Sequence, residues 1–345
     1  MSMLRGSKVL VTGGTGLIGM PLVRMLTEEG ALVRVVSLDT HGLSYGYSHS
    51  WLPNRVEFMP LNLTRMQSCR AAVMDMDYVF HLAGTKGSVE IGVSRAASFM
   101  VPPLVMNTNM MEAARNAGVK RYLFTSSVGV YPPAQAFRED DAWSGNPHHT
   151  DRFAAYVKRI GELQAEAYRQ EFGWDSIAIV RPANVYGPHD DFNPKSAMVV
   201  ASLIRRIVSG EDPLVVWGDG SAARDFIYSE DVARGMMLAL EKAANCTPVN
   251  IGSGQAITIR ELVNTIIQFT PYHPSVVWDV GKQTGESIRV MDMTRARSVL
   301  GFEPKVSLSD GIEKTVEWYL SHKDAVDQRY SVFREDHRSY SLIEG

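Results

Sequence analysis

The sequence predicts an α/β fold, a doubly wound parallel sheet with helices on both faces. Short runs rich in β-branched residues alternate with amphipathic segments of helix length. The short runs show almost no alternation of polar and apolar residues, as expected for strands that are buried on both faces. Because strands and helices alternate, the strands should be parallel, and ligands should bind beyond their carboxyl ends.

The first half of the chain contains six predicted strands and four predicted helices. The strands are residues 8–11, 32–37, 56–59, 78–81, 122–125 and 176–180. The helices are residues 21–29, 66–74, 105–117 and 152–172.

After residue 182 the pattern changes to loops rich in Pro, Asp and Asn. Further helices are predicted at 197–209, 259–269 and 308–320, and further strands at 214–217 and 248–251. We expect residues 1–183 with about 224–251 to form the sheet domain. Residues of about 184–223 with 252–325 should form a smaller C-terminal substrate-binding lid over its ligand edge, and 326–345 a polar tail.

Composition excludes several classes of protein. The chain has 345 residues, 45% of them hydrophobic, and a formal net charge of −3, which excludes a basic nucleic-acid-binding surface spread over the whole protein. No apolar run approaches the roughly 20 residues that span a bilayer. Cys69 and Cys246 are too few for a disulfide framework, so we expect two buried thiols in a cytoplasmic protein.

A glycine-rich segment directly follows the first predicted strand and opens a helix. Its spacing, Gly-x-x-Gly-x-x-Gly, lets the backbone turn tightly and approach a pyrophosphate at the helix N-terminus. This predicts a Rossmann-type dinucleotide site formed by Gly13, Thr15, Gly16, Leu17, Ile18 and Gly19.

Asp39 ends the second predicted strand, twenty residues past Gly19. A carboxylate at this position can accept both ribose hydroxyls of NAD and would repel the 2′-phosphate of NADP. Arg34 lies inside the strand, which is a poor place for a phosphate clamp. The pattern therefore favours NAD, and the alternative role for Asp39 is to cap the next turn.

These residues occur with further motifs: Ser126-Ser127-Val128-Gly129-Val130-Tyr131, Lys158, Arg181-Pro182-Ala183-Asn184-Val185-Tyr186-Gly187-Pro188 and Trp217-Gly218-Asp219-Gly220. Together they resemble the extended short-chain dehydrogenases/reductases that act on nucleotide sugars, over about residues 7–320. Within that NAD-dependent epimerase/dehydratase group, the chain is most similar to the GDP-L-fucose synthase and GDP-sugar epimerase branch.

The resemblance implies roles for single residues. Ser127 would hydrogen-bond the reacting sugar oxygen, and Lys158 would bind the nicotinamide ribose and lower the pKa of a catalytic tyrosine. Five further residues would flank the cofactor: Leu82, Ala83, Lys86, Asn62 and Leu63, the last two near the adenine.

The catalytic tyrosine of that family is absent. It belongs four residues before Lys158, where this chain has Ala154. Tyr156, Tyr131 and a water are alternative proton routes, and core packing is the other interpretation of both tyrosines. Tyr156 should face away from Lys158, because two helical residues differ by about 200° in direction.

Other family residues are also replaced. Gly129 and Met198 stand where fucose synthases carry an acid–base cysteine and histidine, and Pro103 stands at a common asparagine. Neither glycine nor methionine transfers protons. The absence of the tyrosine at Ala154 alone is compatible with an engineered or inactive form. The further replacements at Gly129, Met198 and Pro103 together favour natural divergence. His189 is either a loop residue or a catalyst.

The substrate side requires cations, because a nucleotide sugar carries a diphosphate. By resemblance Arg224 would hold the diphosphate, and Asn184, Arg206 and Trp217 match substrate-side positions, with Arg289 as a further candidate. Alternatively, Arg206 lies on a solvated helix face and Trp217 packs within the lid. No Cys/His group has the spacing of metal ligands, and His148-His149 is expected in a surface loop.

The resulting hypothesis is an NAD-dependent enzyme that acts on a nucleotide sugar, GDP-linked as the resemblance implies, and begins with oxidation at sugar C4. A homodimer paired through the helices at 105–117 and 152–172 is implied by the resemblance. Two alternatives remain: a non-catalytic nucleotide-sugar-binding protein, and an NADP-dependent 4-keto-sugar epimerase-reductase of fucose-synthase type.

Overall fold

The central element is a seven-stranded parallel sheet. A computed structural model describes residues 3–39, 56–281, 288–324 and 326. The sheet strands are β1 (Lys8–Thr12), β2 (Leu32–Val36), β3 (Val56–Met59), β4 (Tyr78–His81), β5 (Arg121–Thr125), β7 (Ile177–Pro182) and β12 (Pro248–Ile251). They lie in the order β3-β2-β1-β4-β5-β7-β12, with every neighbouring pair parallel. The order reverses direction between β1 and β4, which is where a doubly wound sheet binds ligands. This confirms the predicted fold class.

Helices cover both faces of the sheet. They are α1 (Gly19–Glu28), α2 (Met66–Val73), α3 (Val89–Ser94), α4 (Ala96–Asn116), α5 (Arg152–Phe172), α6 (Val199–Val208), α7 (Ser229–Lys242), α8 (Ile259–Gln268) and α9 (Leu308–His322). On one face α4 packs against α2 and α5, and on the other α1 packs against α7. The strands are apolar throughout because side chains on both of their faces are buried in these layers.

The remaining strands are short and build the ligand edge. They are β6 (Ala136–Phe137), β8 (Asn184–Tyr186), β9 (Leu214–Trp217), β10 (Ala223–Arg224), β11 (Phe226–Tyr228), β13 (Ile257–Thr258), β14 (Val276–Asp279) and β15 (Ile288–Met291). β10 pairs with β13 and β15, and β15 also pairs with β6. Side chains of α6, α8 and α9 share a separate apolar core with Tyr186 and Phe192.

Two sequence predictions about helices need correction. Helix α4 begins at Ala96, nine residues before the predicted start at 105, and it continues through Pro102 and Pro103. We predicted the later start because proline disfavours a helix interior. Burial of Phe99, Pro103 and Asn107 along one face supplies packing that outweighs this cost.

Helix α7 was missed. Its buried residues Val232, Met236, Ala239 and Leu240 recur at helical spacing, and Glu230 and Asp231 occupy its first turn. The signal was therefore present in the sequence. Residues 327–345, most of the predicted tail, lie outside the described residues.

None of the described helices is long and apolar enough to cross a membrane. Cys69 and Cys246 are both buried free thiols, as predicted. The two domain boundaries stay predictions.

Candidate active site

A cavity of about 1580 Å³ runs along the carboxyl ends of the sheet strands and under the short strands β9, β10 and β15. Every residue that the sequence assigned to cofactor, catalysis or substrate lines it. On the cofactor side these are Gly13, Thr15, Gly16, Leu17, Ile18, Gly19, Asp39, Asn62, Leu63, Leu82, Ala83 and Lys86. On the reacting and substrate sides they are Ser127, Lys158, Asn184, Arg206, Trp217, Arg224 and Arg289. The geometry brings them together, and their individual roles stay predictions.

The glycine-rich turn is packed too tightly for side chains. A Cβ at Gly19 would lie 2.2 Å from the Gly13 carbonyl oxygen, and a Cβ at Gly13 would lie 3.0 Å from the Ala83 backbone. Ile18 precedes α1 without a side-chain cap, and residues 16–19 at this helix N-terminus line the cavity. This is the geometry that binds a pyrophosphate.

Asp39 is buried in the cavity wall just beyond β2. Its backbone N–H donates to Ser37 Oγ at 3.1 Å, and Ser37 Oγ shares a hydrogen bond of 2.7 Å with Thr15 Oγ1. The residues following β2 are thus tied to the glycine-rich turn. In doubly wound dinucleotide-binding folds a carboxylate after the second strand can hydrogen-bond the adenosine ribose, and this role of Asp39 stays a prediction.

Thr12 and His81 position the backbone that follows β4. The N–H groups of Leu82 and Ala83 both donate to Thr12 Oγ1 at 3.1 Å, and Thr12 Oγ1 lies 2.8 Å from His81 Nδ1. Burial lowers the pKa of His81 to about 3, so the ring is neutral. Neither Thr12 nor His81 was predicted from the sequence to have this role.

Lys158 and Ser127 face the reacting end of the cavity. Lys158 Nζ donates to the Thr125 carbonyl at 2.7 Å, and burial lowers the pKa of Lys158 to about 8. Ser127 Oγ accepts from the Gly129 N–H at 3.1 Å, which leaves its own hydrogen for a ligand.

A buried ion pair beneath these residues was not predicted. Glu162 lies one helical turn after Lys158; Ser126 Oγ donates to it at 2.5 Å, and Arg181 pairs with it at 2.6 Å. The pair therefore ties the end of β5 to α5 and β7. The four-residue spacing from Lys158 to Glu162 was the available signal, since it places both on one helix face.

Tyr131 and Tyr156 both lie away from the reacting end of the cavity. Tyr131 is in the core, as its alternative interpretation had it: its hydroxyl donates to Asn250 Oδ1 at 2.5 Å, and burial raises its pKa above the usual value. Tyr156 donates to Asn146 Oδ1 at 2.7 Å. Neither lines the cavity, so the alternative that one of them carries the proton is wrong.

On the substrate side, Arg224 and Arg289 are directly paired residues of the neighbouring parallel strands β10 and β15. Both guanidinium groups line the cavity, and Arg289 Nη1 lies 3.3 Å from Asp151 Oδ2. Two adjacent arginines are suited to a diphosphate.

Four other residues predicted to contact a ligand have side chains that are already hydrogen-bonded or paired, or that are largely exposed. Arg206 Nε donates to Glu211 at 2.7 Å, and Asn184 Nδ2 donates to the Asp225 carbonyl at 2.9 Å. Trp217 is 59% exposed and therefore does not pack within the lid. Lys86 Nζ pairs with Asp190 at 2.6 Å.

His148 and His149 lie in a loop, as predicted, but only one of them is exposed. His148 is half-buried in the cavity wall, where its Nδ1 shares a hydrogen bond of 2.7 Å with Thr150 Oγ1, so only His149 of the pair is exposed. Asp151, also in the cavity wall, was missed, because an aspartate before a helix suggests a cap. His189 lines the cavity too, with its ring 4.8 Å from that of Trp318. Among the described residues, no group of three or more His, Cys, Asp or Glu could hold a metal ion.

Comparison with known proteins assigns the chain to a family. The model of the NAD dependent epimerase/dehydratase family matches residues 9–252. The chain belongs to this family. It is 33% identical to GDP-L-fucose synthase 1 of Arabidopsis thaliana over 326 residues, 92% of this chain and 94% of that protein.

Solved structures of epimerases show the same fold. The chain matches UDP-glucose 4-epimerase of Thermotoga maritima with a TM-score of 0.77 and 30% identity, over 92% of this chain and 99% of that one. It matches the epimerase Mth375 of Methanothermobacter thermautotrophicus with a TM-score of 0.82 and 25% identity, over 94% and 95% of the two chains. Members of the epimerase/dehydratase family use NAD(P), and the glycine-rich turn with the open N-terminus of α1 fits the pyrophosphate of such a dinucleotide.

Proposed function

We propose that this protein is an NAD-dependent nucleotide-sugar epimerase or dehydrogenase that begins its reaction by oxidation at sugar C4. The observation that carries the proposal is the shared cavity. It joins a dinucleotide-binding turn at one end to paired arginines at the other, with Ser127 and Lys158 between them. A dinucleotide and a diphosphate-linked sugar can thus meet at these two side chains.

The cofactor preference rests on Asp39. Its carboxylate suits the two free hydroxyls of the NAD ribose, and it would lie against the added phosphate of NADP. Arg34 is engaged elsewhere, since its Nε pairs with Glu57 at 2.8 Å and its Nη1 donates to backbone carbonyls at the C-terminal end of α2. It therefore does not offset the charge of Asp39.

The residues at the reacting end have separate tasks. The nicotinamide supplies a hydride acceptor when the cofactor is bound. The Lys158 ammonium would hold the nicotinamide ribose hydroxyls, and its positive charge would stabilise negative charge that develops on the sugar oxygen. Ser127 would donate to that same oxygen and fix its position.

The substrate class follows from the paired arginines and the relatives. Arg224 and Arg289 would bind the diphosphate, with Trp217 against the base or the sugar and Asn184 and Arg206 at the periphery. A GDP-linked sugar is favoured because several relatives at about 30% identity are named GDP-L-fucose synthase.

Two observations support the other candidate functions. Ala154 in place of the family tyrosine favours a non-catalytic nucleotide-sugar-binding protein. The names of the curated relatives favour a 4-keto-sugar epimerase-reductase of fucose-synthase type that uses NADP. Measured turnover would exclude the non-catalytic binding protein. A preference for NADP over NAD would support the epimerase-reductase.

The exposed face of α5 supports a homodimer. Phe153, Ile160 and Leu163 form one stripe along this helix and are 41%, 36% and 45% exposed. Such a stripe is suited to the core of an interface between two copies. Buried free thiols at Cys69 and Cys246 are compatible with a reducing, cytoplasmic location.

Cofactor titrations test the proposal. We expect NAD to bind at least about tenfold more tightly than NADP, and Asp39→Ala to narrow that ratio, because a charge repulsion is removed. Isothermal titration of both cofactors into both proteins measures this. A wild-type preference for NADP would contradict the NAD assignment and favour the reductase alternative.

A further inference from the structure

The carboxylate of Asp151 is directed into the cavity instead of capping its helix. Asp151 is the N-cap residue of α5, and an aspartate there normally accepts a hydrogen bond from the first helical turn. Its side chain makes no such bond. Oδ2 lies 3.3 Å from Arg289 Nη1, which holds the carboxylate at the cavity wall.

Asp151 lies on the same face of α5 as Lys158. The two are seven residues apart, which is two helical turns, so their side chains project in nearly the same direction. Both line the cavity. Ala154 stands between them in sequence and does not line it. The carboxylate is therefore the acid–base group that α5 adds to the cavity beside Lys158.

Gly129 leaves a gap between Asp151 and Ser127. The point where a Cβ at 129 would stand is 3.5 Å from Ser127 Oγ and 3.7 Å from Asp151 Cβ. A side chain at 129 would fill this gap. With glycine there, an oxygen atom of a ligand can contact the serine hydroxyl and the aspartate carboxylate together.

The other carboxylates of the cavity wall are engaged elsewhere or distant. Asp190 pairs with Lys86 at 2.6 Å, and Asp191 accepts from the Asn193 N–H at 2.9 Å. Asp39 lies beyond β2, next to the glycine-rich turn. Asp151 is thus the carboxylate of the described wall that adjoins Ser127.

We propose that Asp151 is the catalytic residue that accepts the proton of the sugar hydroxyl, in place of the tyrosine that Ala154 replaces. This rests on the proposed function. As the hydroxyl-bearing carbon loses its hydrogen with the bonding electron pair to the nicotinamide, the O–H bond breaks and its proton passes to an Asp151 carboxylate oxygen. The C–O bond becomes a carbonyl, and the reverse reaction returns the proton from the carboxylic acid. Arg289, which would also contact the diphosphate, is a positioning residue for this step because its Nη1 orients the carboxylate.

The first test replaces the carboxylate with an amide of the same shape. The probes are GDP-L-fucose and UDP-glucose with NAD, and the readouts are cofactor reduction at 340 nm and epimer formation by proton NMR. Asp151→Asn should lower the rate at least about 100-fold, as for loss of a general base. Its affinity for NAD, measured by isothermal titration, should stay within about threefold. Asp140→Asn, at an exposed carboxylate paired with Arg295 outside the cavity, is the matched control and should keep the wild-type rate.

Chemical rescue separates proton transfer from a structural role. Asp151→Ala opens a space of about one carboxylate. Added formate should therefore raise the rate of this variant at least about tenfold. It should leave the rate of the wild type unchanged. A variant without rescue would overturn the proposal in favour of a structural role for Asp151.

Two further outcomes would also overturn it. If Asp151→Asn retains at least half of the wild-type rate while His148→Gln loses 100-fold, His148 carries the proton. If the wild type neither reduces the cofactor nor epimerises sugars that it binds, the proposed function fails, and the Asp151 assignment fails with it. An active wild type with an equally active Asp151→Asn variant contradicts only the Asp151 assignment.

Discussion

At the scale of single residues, Lys158 carries a charge that depends on pH near neutrality. Burial lowers its pKa to about 8, so the ammonium is present below pH 8 and is lost as the pH rises through that value. Because this ammonium would hold the nicotinamide ribose, the affinity for NAD should fall by up to about tenfold from pH 7 to pH 9. Fluorescence titration with NAD at several pH values measures this.

Lys158→Met provides the control for that titration. The variant should bind NAD more weakly at pH 7, show no such decrease toward pH 9, and lose turnover. A variant with the wild-type affinity and the wild-type pH dependence would remove Lys158 from the cofactor site.

The arginines of the cavity should differ in their contributions. Arg224→Ala should raise the dissociation constant of a nucleotide sugar by one to two decades, on the order of 1.5–3 kcal/mol for a charge-assisted contact. Arg206→Ala should change it by less than about threefold, because Glu211 already pairs with that guanidinium. Titration of GDP-L-fucose into both variants compares them, and equal losses would show that Arg206 also binds the diphosphate.

Single site residues could be predicted from the sequence where the surrounding motif leaves few other roles for them. The glycine-rich turn and Asp39 were predicted from their spacing, Ser127 and Lys158 from the resemblance to a known family, and all line the cavity. Asp151 could not be predicted, since a helix-capping aspartate and a cavity aspartate look the same in sequence. Only the absence of its capping hydrogen bond distinguishes them.

At the scale of secondary-structure elements, the contact between α5 and β5 depends on Gly161. A Cβ there would lie 2.2 Å from Phe124 Cζ, and the Phe124 ring is fully buried. Gly161→Ala should therefore lower the free energy of unfolding by about 1–3 kcal/mol, although alanine favours helix over glycine. Urea unfolding followed by circular dichroism measures this.

Gly92→Ala is the matched control, since a Cβ at this α3 residue would have no atom nearer than 3.9 Å. It should leave stability unchanged or raise it by up to about 1 kcal/mol. If both variants lose stability equally, the close approach of α5 to β5 is not the cause.

The main-sheet strands were predictable because burial on both faces leaves an unbroken apolar run. The strands of the lid were harder. Segments such as Ala223–Arg224 and Ile257–Thr258 have two residues each, too few for any periodicity. They exist as strands because other short strands of the same chain pair with them, and this pairing depends on the tertiary structure.

At the scale of the whole molecule, the apolar stripe on α5 predicts self-association. Leu163→Glu places a charge in the middle of the proposed dimer interface and should yield monomers, because an unpaired charge is costly to bury. Light scattering coupled to gel filtration measures the mass. Leu32→Glu is the control, at a leucine of similar exposure at the start of β2, and it should remain dimeric. A wild-type monomer would contradict the proposal.

The cavity assembles residues from nearly the full length of the chain, from Gly13 to Arg289. Its ends come together because parallel strands present their carboxyl ends at one edge, and residues of the short strands β9, β10 and β15 line the cavity beside that edge. Our central claim is therefore that a dinucleotide and a nucleotide sugar react while both occupy this cavity.

Proton NMR in D₂O tests that claim most directly. The protein and NAD are incubated with a panel of GDP- and UDP-sugars, and the sugar signals are followed over time. We predict conversion of at least one nucleotide sugar to an epimer or a keto sugar, with loss of that conversion in Lys158→Met. Unchanged spectra across a panel that the protein demonstrably binds would contradict it and leave a nucleotide-sugar-binding protein without turnover.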